Sequence, residues 1–169
     1  MRHGETEWNS AFRFQGRTDV PLAESGLAQA DLLALRLAGA RLDKVYTSPL
    51  ARARQTASAI ARMNESVKEV TAVDELSEMS FGGWEGLRLS EIRELHPDLF
   101  SSWSKDPSAT APPGGECFSD LIARVSRALE GILSGEGDKL ILVCHGGTIR
   151  AILSILVGIP PAAAWKFRA

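Results

Sequence analysis

Two histidines and two arginines in this chain have the residue types and local settings that phosphoryl transfer needs. Arg2 and His3 open the sequence and are followed by Gly4. Arg52 lies shortly after a proline, and His145 follows an apolar run and precedes two glycines. A neutral imidazole can attack phosphorus and leave again, and a guanidinium is always charged and binds phosphoryl oxygens through two parallel hydrogen bonds. These side chains predict phosphoryl transfer through a phosphohistidine.

Arg52 and His145 each follow a predicted strand at the point where a helix begins. The apolar run at 139–144 ends directly before His145, and the predicted strand at 44–47 ends before Ser48, with Arg52 about one helical turn later. In an open α/β sheet, ligands bind beyond the carboxyl ends of the strands, and a helix N-terminus presents N–H groups to an anion. We therefore expect both strand-to-helix crossings to direct cationic groups towards one crevice.

The hydrophobic pattern places strands and helices in alternation. The predicted strands are 44–47, 67–73 and 139–144, and the predicted helices are 26–38, 49–62, 90–96, 117–133 and 147–157. Pro97 is expected to end the helix at 90–96. This alternation predicts an α/β fold, a three-layer α/β/α sandwich with a mostly parallel central sheet. Because no internal repeat or linker is visible, residues 1–169 are expected to form one domain.

The composition excludes several classes of protein. The chain has 169 residues, 44% of them hydrophobic and 24% charged, which is typical of a globular protein. A net charge of −2 offers no overall attraction to nucleic acid or to an anionic membrane, so phosphate must be bound by a local positive field. No apolar run approaches the ~20 residues of a membrane span, and no signal peptide is visible.

The cysteines indicate a reducing compartment. Cys117 and Cys144 have neither the spacing of metal ligands nor that of a disulfide framework. A cytoplasmic location is therefore expected.

The two ends of the sequence are unusual for this fold. A parallel strand usually comes directly before a motif such as residues 2–4, and there is no room for one here. The sequence also stops at residues 166–169 without a closing strand. The sequence predicts a domain without these two strands, either through truncation or through loss. His3 nonetheless needs a rigid support, because a nucleophile misplaced by ~1 Å loses ~100-fold in rate.

Five blocks of sequence, in order, resemble the histidine phosphatase superfamily, the phosphoglycerate mutase-like group. They are residues 2–6 with Asn9, residues 15–22, the segment around Arg52, Glu78 with residues 81–86, and residues 145–147. The tripeptide Arg-His-Gly by itself is weak evidence, whereas five blocks in the family's order are strong. Together they span nearly the whole chain.

The resemblance implies a role for each candidate site residue. His3 would be the nucleophile and take the phosphoryl group on one ring nitrogen, while a hydrogen bond holds the other nitrogen. Glu78 would protonate the leaving oxygen and then activate water. The remaining residues would bind the phosphoryl group or line its pocket: Arg2, Arg52, His145, Asn9, Gln15, Gly16 and Gly146. Because the arginines would take the place of a metal, no metal or other cofactor is expected.

The resemblance favours a phosphatase within this group. Phosphoglycerate mutases share a longer insertion after the Glu-bearing block, whereas residues 86–114 are short here and hold only Arg88, Arg93 and Lys105 as cations. Residues 113–116 look like the branch of α-ribazole phosphatases and broad-specificity phosphatases, although Cys117 stands where a serine is common. We expect a metal-independent phosphomonoester hydrolase.

The expected substrate is a small phosphorylated metabolite, with inorganic phosphate as product and no nucleic acid or membrane partner. A homodimer is left open. Two alternatives remain: a phosphoglycerate mutase, and a non-catalytic module that binds phosphate or a phosphopeptide on the same scaffold. Trp84 and Trp103 are expected either to line the substrate pocket or to pack in the core.

Overall fold

The structure, a computed structural model, describes residues 1–135 and 137–167. Its helices and strands, in chain order, are α1 (Glu7–Ser10), α2 (Glu24–Leu37), β1 (Lys44–Thr47), α3 (Ala51–Met63), β2 (Val70–Ala72), α4 (Leu89–Leu95), α5 (Pro97–Lys105), α6 (Phe118–Leu133), β3 (Leu140–Val143), α7 (Gly146–Val157) and α8 (Pro161–Ala164). Two short 3₁₀ helices, Asp74–Leu76 and Gly82–Trp84, lie between β2 and α4. Among the described helices, none has the length and apolar character needed to cross a membrane.

The three strands form a parallel sheet in the order β2–β1–β3. Val45 at the centre pairs with Val70 on one side and with Ile141 on the other. Because all three strands run in the same direction, β1 and β3 end at the same edge. The segments that carry Arg52 and His145 therefore start side by side, as predicted.

Alternate side chains of the strands pack into two different helix layers. Val45, Ile141 and Val143 pack with α3 in one core cluster, whereas Tyr46 and Leu142 pack with residues of α6 and α7 in another. This period of two is the geometry of a pleated strand buried on both faces. Helices therefore cover both faces of the sheet, and the predicted three-layer α/β/α sandwich is confirmed.

Most predicted elements match within two residues, and the larger differences concern β2 and the segment after Pro97. β2 is limited to Val70–Ala72, shorter than the predicted 67–73. The prediction that Pro97 only ends a helix was incomplete, because α4 ends at Leu95 and Pro97 is the first residue of α5, which the sequence analysis did not predict. Proline is well tolerated at the first helical position, where its missing N–H has no partner in any case.

Backbone pairing with β3 anchors the start of the chain. Arg2 forms a parallel bridge with Cys144, the N–H of Cys144 donates to the carbonyl of Met1 at 2.9 Å, and the N–H of His3 donates to the carbonyl of Cys144 at 3.1 Å. His3 thus has the rigid support that the sequence analysis required. Of the C-terminal stretch 166–169, in which no closing strand was expected, residues 168–169 lie outside the described residues.

Candidate active site

A cavity of about 350 Å³ brings most of the predicted site residues together. Seven of the nine line it: Arg2, His3, Asn9, Gln15, Gly16, Arg52 and Glu78. His145 and Gly146 are buried and are not part of the lining. The cavity therefore combines cationic groups, one imidazole and one carboxyl group, the set that phosphoryl transfer needs.

A hydrogen bond to Gly4 determines which ring nitrogen of His3 carries the proton, and burial determines the charge of the ring. Its Nδ1 lies 2.6 Å from the carbonyl oxygen of Gly4, and since a carbonyl only accepts, Nδ1 carries the proton. Burial, opposed by this bond and reinforced by the charges of Arg52 and Arg2, lowers the pKa of His3 to about 4. The ring is therefore neutral near pH 7, with an unprotonated Nε2. This is the nucleophilic form of histidine.

Arg52 is held at the start of α3 with its side chain almost fully buried. Its guanidinium donates to the carbonyl of Thr18 at 2.9 Å, to the carbonyl of Gly16 at 2.7 Å and, through Nε, to Nδ1 of His145 at 3.3 Å. Among the described residues these bonds use three of its five N–H groups. The other two can bind a ligand in the cavity that Arg52 lines.

His145 stands behind Arg52 in a defined tautomer. Because the Nε of Arg52 can only donate, Nδ1 of His145 is an acceptor, so Nε2 carries the proton and donates to the hydroxyl of Ser48 at 2.7 Å. Burial and the charge of Arg52 lower the pKa of His145 well below its ordinary value. Its ring centroid lies 5.0 Å from that of His3. His145 thus contacts Arg52 directly and keeps a neutral ring beside the nucleophile.

The carboxylate of Glu78 lies at the N-terminus of α7. Its Oε2 accepts from the N–H of Gly147 at 3.1 Å, and its Oε1 accepts from the N–H groups of Thr148 at 3.3 Å and of Met79 at 2.9 Å. These backbone N–H groups fix the position of the Glu78 carboxyl group at the start of the helix. Glu78 is half-buried and lines the same cavity as His3. A carboxyl group and a nucleophilic imidazole therefore face one ligand volume.

Asn9 and Gln15 are oriented by Thr6. The amide oxygen of Asn9 accepts from the backbone N–H of Thr6 at 3.0 Å, in a reciprocal cap of α1. The hydroxyl of Thr6 lies 2.9 Å from the amide oxygen of Gln15. With their oxygens used in this way, the two amides have NH₂ groups as donors for the cavity that both line.

The sequence profile of the histidine phosphatase superfamily (branch 1) matches residues 1–169. The chain belongs to this superfamily. It is 35% identical over 166 residues to the putative phosphoserine phosphatase 2 of Hydrogenobacter thermophilus, covering 98% of this chain and 81% of that one. It is 32% identical over 169 residues to the adenosylcobalamin/alpha-ribazole phosphatase of Salmonella typhimurium, covering 99% and 83%.

A solved structure shows the same architecture. The structure of Bacillus stearothermophilus YhfR matches with a TM-score of 0.89 at 33% identity, covering 99% of this chain and 82% of that one. The expected resemblance and the phosphoglycerate mutase-like fold are confirmed, and the protein is a phosphatase. This agrees with the expectation of an enzyme, so the alternative of a non-catalytic binding module is not retained.

In this phosphatase, the sequence analysis missed the residue that fixes the backbone around Glu78. Arg124, buried on α6, donates to the carbonyl of Ser77 at 2.9 Å and to that of Glu78 at 2.8 Å. It also forms a two-pronged ion pair with Glu116, at 2.9 and 3.0 Å. The signal was present in the sequence, since Arg124 falls on the apolar face of a helix, three residues after the buried Leu121.

Glu116 connects the two walls of the site. Besides Arg124, it accepts from the side chain of Arg17 at 2.8 Å and from the backbone N–H of Ser80 at 2.9 Å. Burial by itself would raise the pKa of the Glu116 carboxyl, but the hydrogen bonds from Arg124 and Ser80 and the two arginine charges hold it below its ordinary value. Glu116 therefore stays ionised and ties the loop at Arg17 to the segment that carries Glu78.

Glu85 holds the loop whose carbonyls bind Arg52. Its carboxylate accepts from the backbone N–H groups of Arg17 at 3.0 Å, Thr18 at 2.9 Å and Phe81 at 3.0 Å. Gly16 lies in this loop with a φ of +55°, which glycine adopts without strain. The orientation of Arg52 thus depends on a carboxylate that does not line the cavity.

Trp84 and Trp103 belong to the core. The sequence had left open whether they line the substrate pocket or pack in the core. Trp84 is fully buried and Trp103 nearly so, and their rings pack edge to face at a centroid distance of 5.5 Å. They lie behind Phe14 and Phe81, which do line the cavity. The tryptophans therefore support the cavity wall from the inside.

Proposed function

We propose that this phosphatase is a metal-independent phosphomonoester hydrolase that acts through a phosphohistidine on His3, with Glu78 as general acid and base. The observation that carries the proposal is the hydrogen bond from Nδ1 of His3 to the carbonyl of Gly4, which leaves Nε2 unprotonated in a ring that burial keeps neutral. The cations Arg2 and Arg52, which line the same cavity, supply the positive charge that a metal would otherwise provide.

In the first step, Nε2 of His3 attacks the phosphorus atom, and the bond from phosphorus to the ester oxygen breaks. Glu78 in its acid form gives its proton to the departing oxygen, so an alcohol leaves rather than an alkoxide. Arg2 and Arg52 bind the phosphoryl oxygens throughout, and Asn9 adds a neutral donor. The products of this step are the alcohol, phosphorylated His3 and ionised Glu78.

In the second step, the Glu78 carboxylate removes a proton from water as the water oxygen attacks phosphorus. The bond between phosphorus and Nε2 breaks, inorganic phosphate is released, and both His3 and Glu78 return to their starting states. The bond from Nδ1 to Gly4 keeps the proton on the same nitrogen throughout, so His3 needs no tautomer change between turnovers. His145 acts on the phosphoryl group through Arg52, the side chain to which it is hydrogen-bonded.

The substrate is proposed to be a small phosphorylated metabolite. The cavity of about 350 Å³ is at the lower end of the range for small-molecule sites. One relative carries a name that refers to phosphoserine, itself a small phosphate ester, and another carries a name that refers to adenosylcobalamin and alpha-ribazole. This supports the substrate class without selecting one compound.

Trapping of the phosphoenzyme tests the proposal. The purified protein is mixed with p-nitrophenyl phosphate in excess EDTA, quenched in base and assayed for a phosphoryl group that is stable to base and labile to acid. We expect turnover and a labelled enzyme in the wild type, and neither in His3→Ala. His96→Ala is the matched control, because His96 is outside the cavity lining and packs beside Trp84.

Turnover that needs added divalent metal would overturn the metal-independent mechanism. Turnover by His3→Ala at the wild-type rate would remove His3 as the nucleophile. Faster isomerisation than hydrolysis of a phosphoglycerate would favour the mutase alternative.

A further inference from the structure

Phe12 places an exposed aromatic ring at the mouth of the cavity. Its φ is +54°, because it directly follows the C-cap of α1 and the N–H of Arg13 donates back to the carbonyl of Trp8 at 2.9 Å. Phe12 lines the cavity and is 83% exposed. Most of its ring surface is therefore available to a ligand.

The aromatic rings next to Phe12 are rigidly supported. Phe14 and Phe81, which also line the cavity, pack edge to face with centroids 5.0 Å apart and an interplanar angle of 88°. Trp103 backs both of them, at 6.3 Å from Phe14 and 6.2 Å from Phe81. This arrangement preorganises two rings on the cavity wall, and Leu89 adds a partly exposed apolar group.

The cation next to these rings is already engaged by protein groups. Arg13 lines the cavity, but its Nη1 donates to the carbonyl of Gly86 and lies 3.9 Å from the carboxylate of Glu91. The cations that act on His3 are Arg2 and Arg52 instead. The cavity lining thus combines cations that can bind the phosphoryl group with aromatic rings that can contact the rest of the ester.

We propose that Phe12, Phe14 and Phe81 form a leaving-group subsite that selects phosphomonoesters whose alcohol carries an aromatic or heteroaromatic ring. The subsite favours such an ester over one with a small zwitterionic alcohol such as serine, because flat rings stack on and pack against aromatic walls. The proposal rests on the proposed function, since the phosphoryl group must be held at His3 for the alcohol to reach these rings.

Esters with matched leaving groups test the subsite. We compare 2-phenylethyl phosphate with ethyl phosphate, whose alcohols are similar in basicity, so that a rate difference reports the ring rather than the ease of bond breaking. Wild-type kcat/KM is expected to be about 10-fold or more higher for the phenyl ester. 2-Cyclohexylethyl phosphate should fall between the two, because it is apolar but not flat.

The variant Phe12→Gly tests the residue itself. Glycine tolerates the left-handed conformation, so the midpoint of urea unfolding should not fall. The preference for the phenyl ester should drop at least about threefold. Phe167→Gly is the control, since Phe167 is an exposed phenylalanine outside the cavity lining and should leave the preference unchanged.

Each outcome decides between the two proposals. Equal kcat/KM values for the two esters in the wild type, or an unchanged preference in Phe12→Gly, would overturn the subsite and leave the phosphohistidine mechanism intact. Loss of turnover on both esters by the same factor in Phe12→Gly would also overturn it. Absence of wild-type turnover on these esters and on p-nitrophenyl phosphate would overturn the proposed function itself.

Discussion

Glu78 and Gly147 are in direct contact, although 68 residues lie between them in the sequence. The backbone N–H of Gly147 donates to Oε2 of Glu78 at 3.1 Å, and a Cβ added at Gly147 would overlap Oε1. The position of the carboxyl group therefore depends on the absence of a side chain at the first turn of α7. Gly147, the second glycine after His145, thus leaves the space that the Glu78 carboxyl group occupies.

The substitution Gly147→Ala is expected to displace Glu78. Its methyl group cannot coexist with the observed carboxylate position, and a shift of ~1 Å in a catalytic group costs ~100-fold in rate. We expect kcat to fall by about this factor on an alkyl phosphomonoester. The fall should be smaller on p-nitrophenyl phosphate, whose good leaving group needs little protonation.

Gly131→Ala is the control for this substitution. Gly131 is exposed on α6 and a Cβ there meets open space, so alanine should raise the free energy of unfolding by ~0.5–1 kcal/mol without changing kcat. An unchanged kcat in Gly147→Ala would contradict the role given to this contact.

Arg124 is expected to act on catalysis through the backbone that carries Glu78. Arg124→Met would remove the donor that Arg124 supplies to the carbonyls of Ser77 and Glu78 and to the carboxylate of Glu116. Because Glu116 keeps Arg17 and the N–H of Ser80 as partners, the loss of stability should not exceed the ~3–5 kcal/mol that breaking a buried ion pair typically costs. Urea unfolding measures this cost. Arg124 lies outside the cavity lining, so it is a positioning residue.

A leaving-group comparison separates positioning from general damage. If Arg124 positions Glu78, Arg124→Lys should lower kcat more on an alkyl phosphomonoester than on p-nitrophenyl phosphate, with little change in KM. Equal losses on both substrates would instead indicate a structural role alone.

Arg52 should not be replaceable by lysine. A single ammonium group cannot reproduce the donors to Thr18, Gly16 and His145 and still bind a phosphoryl oxygen through two hydrogen bonds. We expect Arg52→Lys to lower kcat/KM by ~100- to 1,000-fold, the usual effect of losing one donor to transition-state charge. Arg54→Lys, an exposed change on the same helix, should keep wild-type activity in the same assay, because the side chain is solvated.

The lowered pKa of His3 predicts the acid limb of the pH profile. Since the nucleophile is active when neutral and its pKa in the free enzyme is about 4, kcat/KM should lose about tenfold per pH unit below that value. Near the ordinary histidine pKa of 6.5, His3 should cause no decline. A decline centred at 6.5 that disappears on substitution of His3 would contradict the buried, neutral state.

The same shift predicts how stability depends on pH. Unfolded His3 binds a proton below its ordinary pKa of 6.5, whereas folded His3 does so only below about 4, so protonation favours the unfolded chain in this window. The contribution of His3 is fully present above pH 6.5 and is lost as the pH falls to about 4, by on the order of 3 kcal/mol. Urea unfolding at pH 7 and pH 5 should show a smaller difference in His3→Gln than in the wild type.

The sequence by itself predicted the architecture and the superfamily, and both are confirmed. The continuous apolar run at 139–144 predicted β3, because a parallel strand that is buried on both faces has apolar residues at successive positions. The short segment at 44–47 predicted β1, and helical spacing of apolar residues predicted the helices that follow the two strands. The settings of His3 and Arg52 were recognisable because each motif is contiguous in the chain. Glu78 was selected only by resemblance, since other carboxylates lie close to it in the sequence.

Only the tertiary structure decided how these groups are held. The bonds from Arg124 to Glu78 and from Arg52 to His145 join residues 46 and 93 positions apart, and local patterns carry no record of such pairs. The predicted role of His145 in binding the phosphoryl group stays a prediction, and the structure adds that Ser48 and Arg52 are hydrogen-bonded to its two ring nitrogens. The tautomers of both histidines likewise follow from partners that folding brings within hydrogen-bond distance.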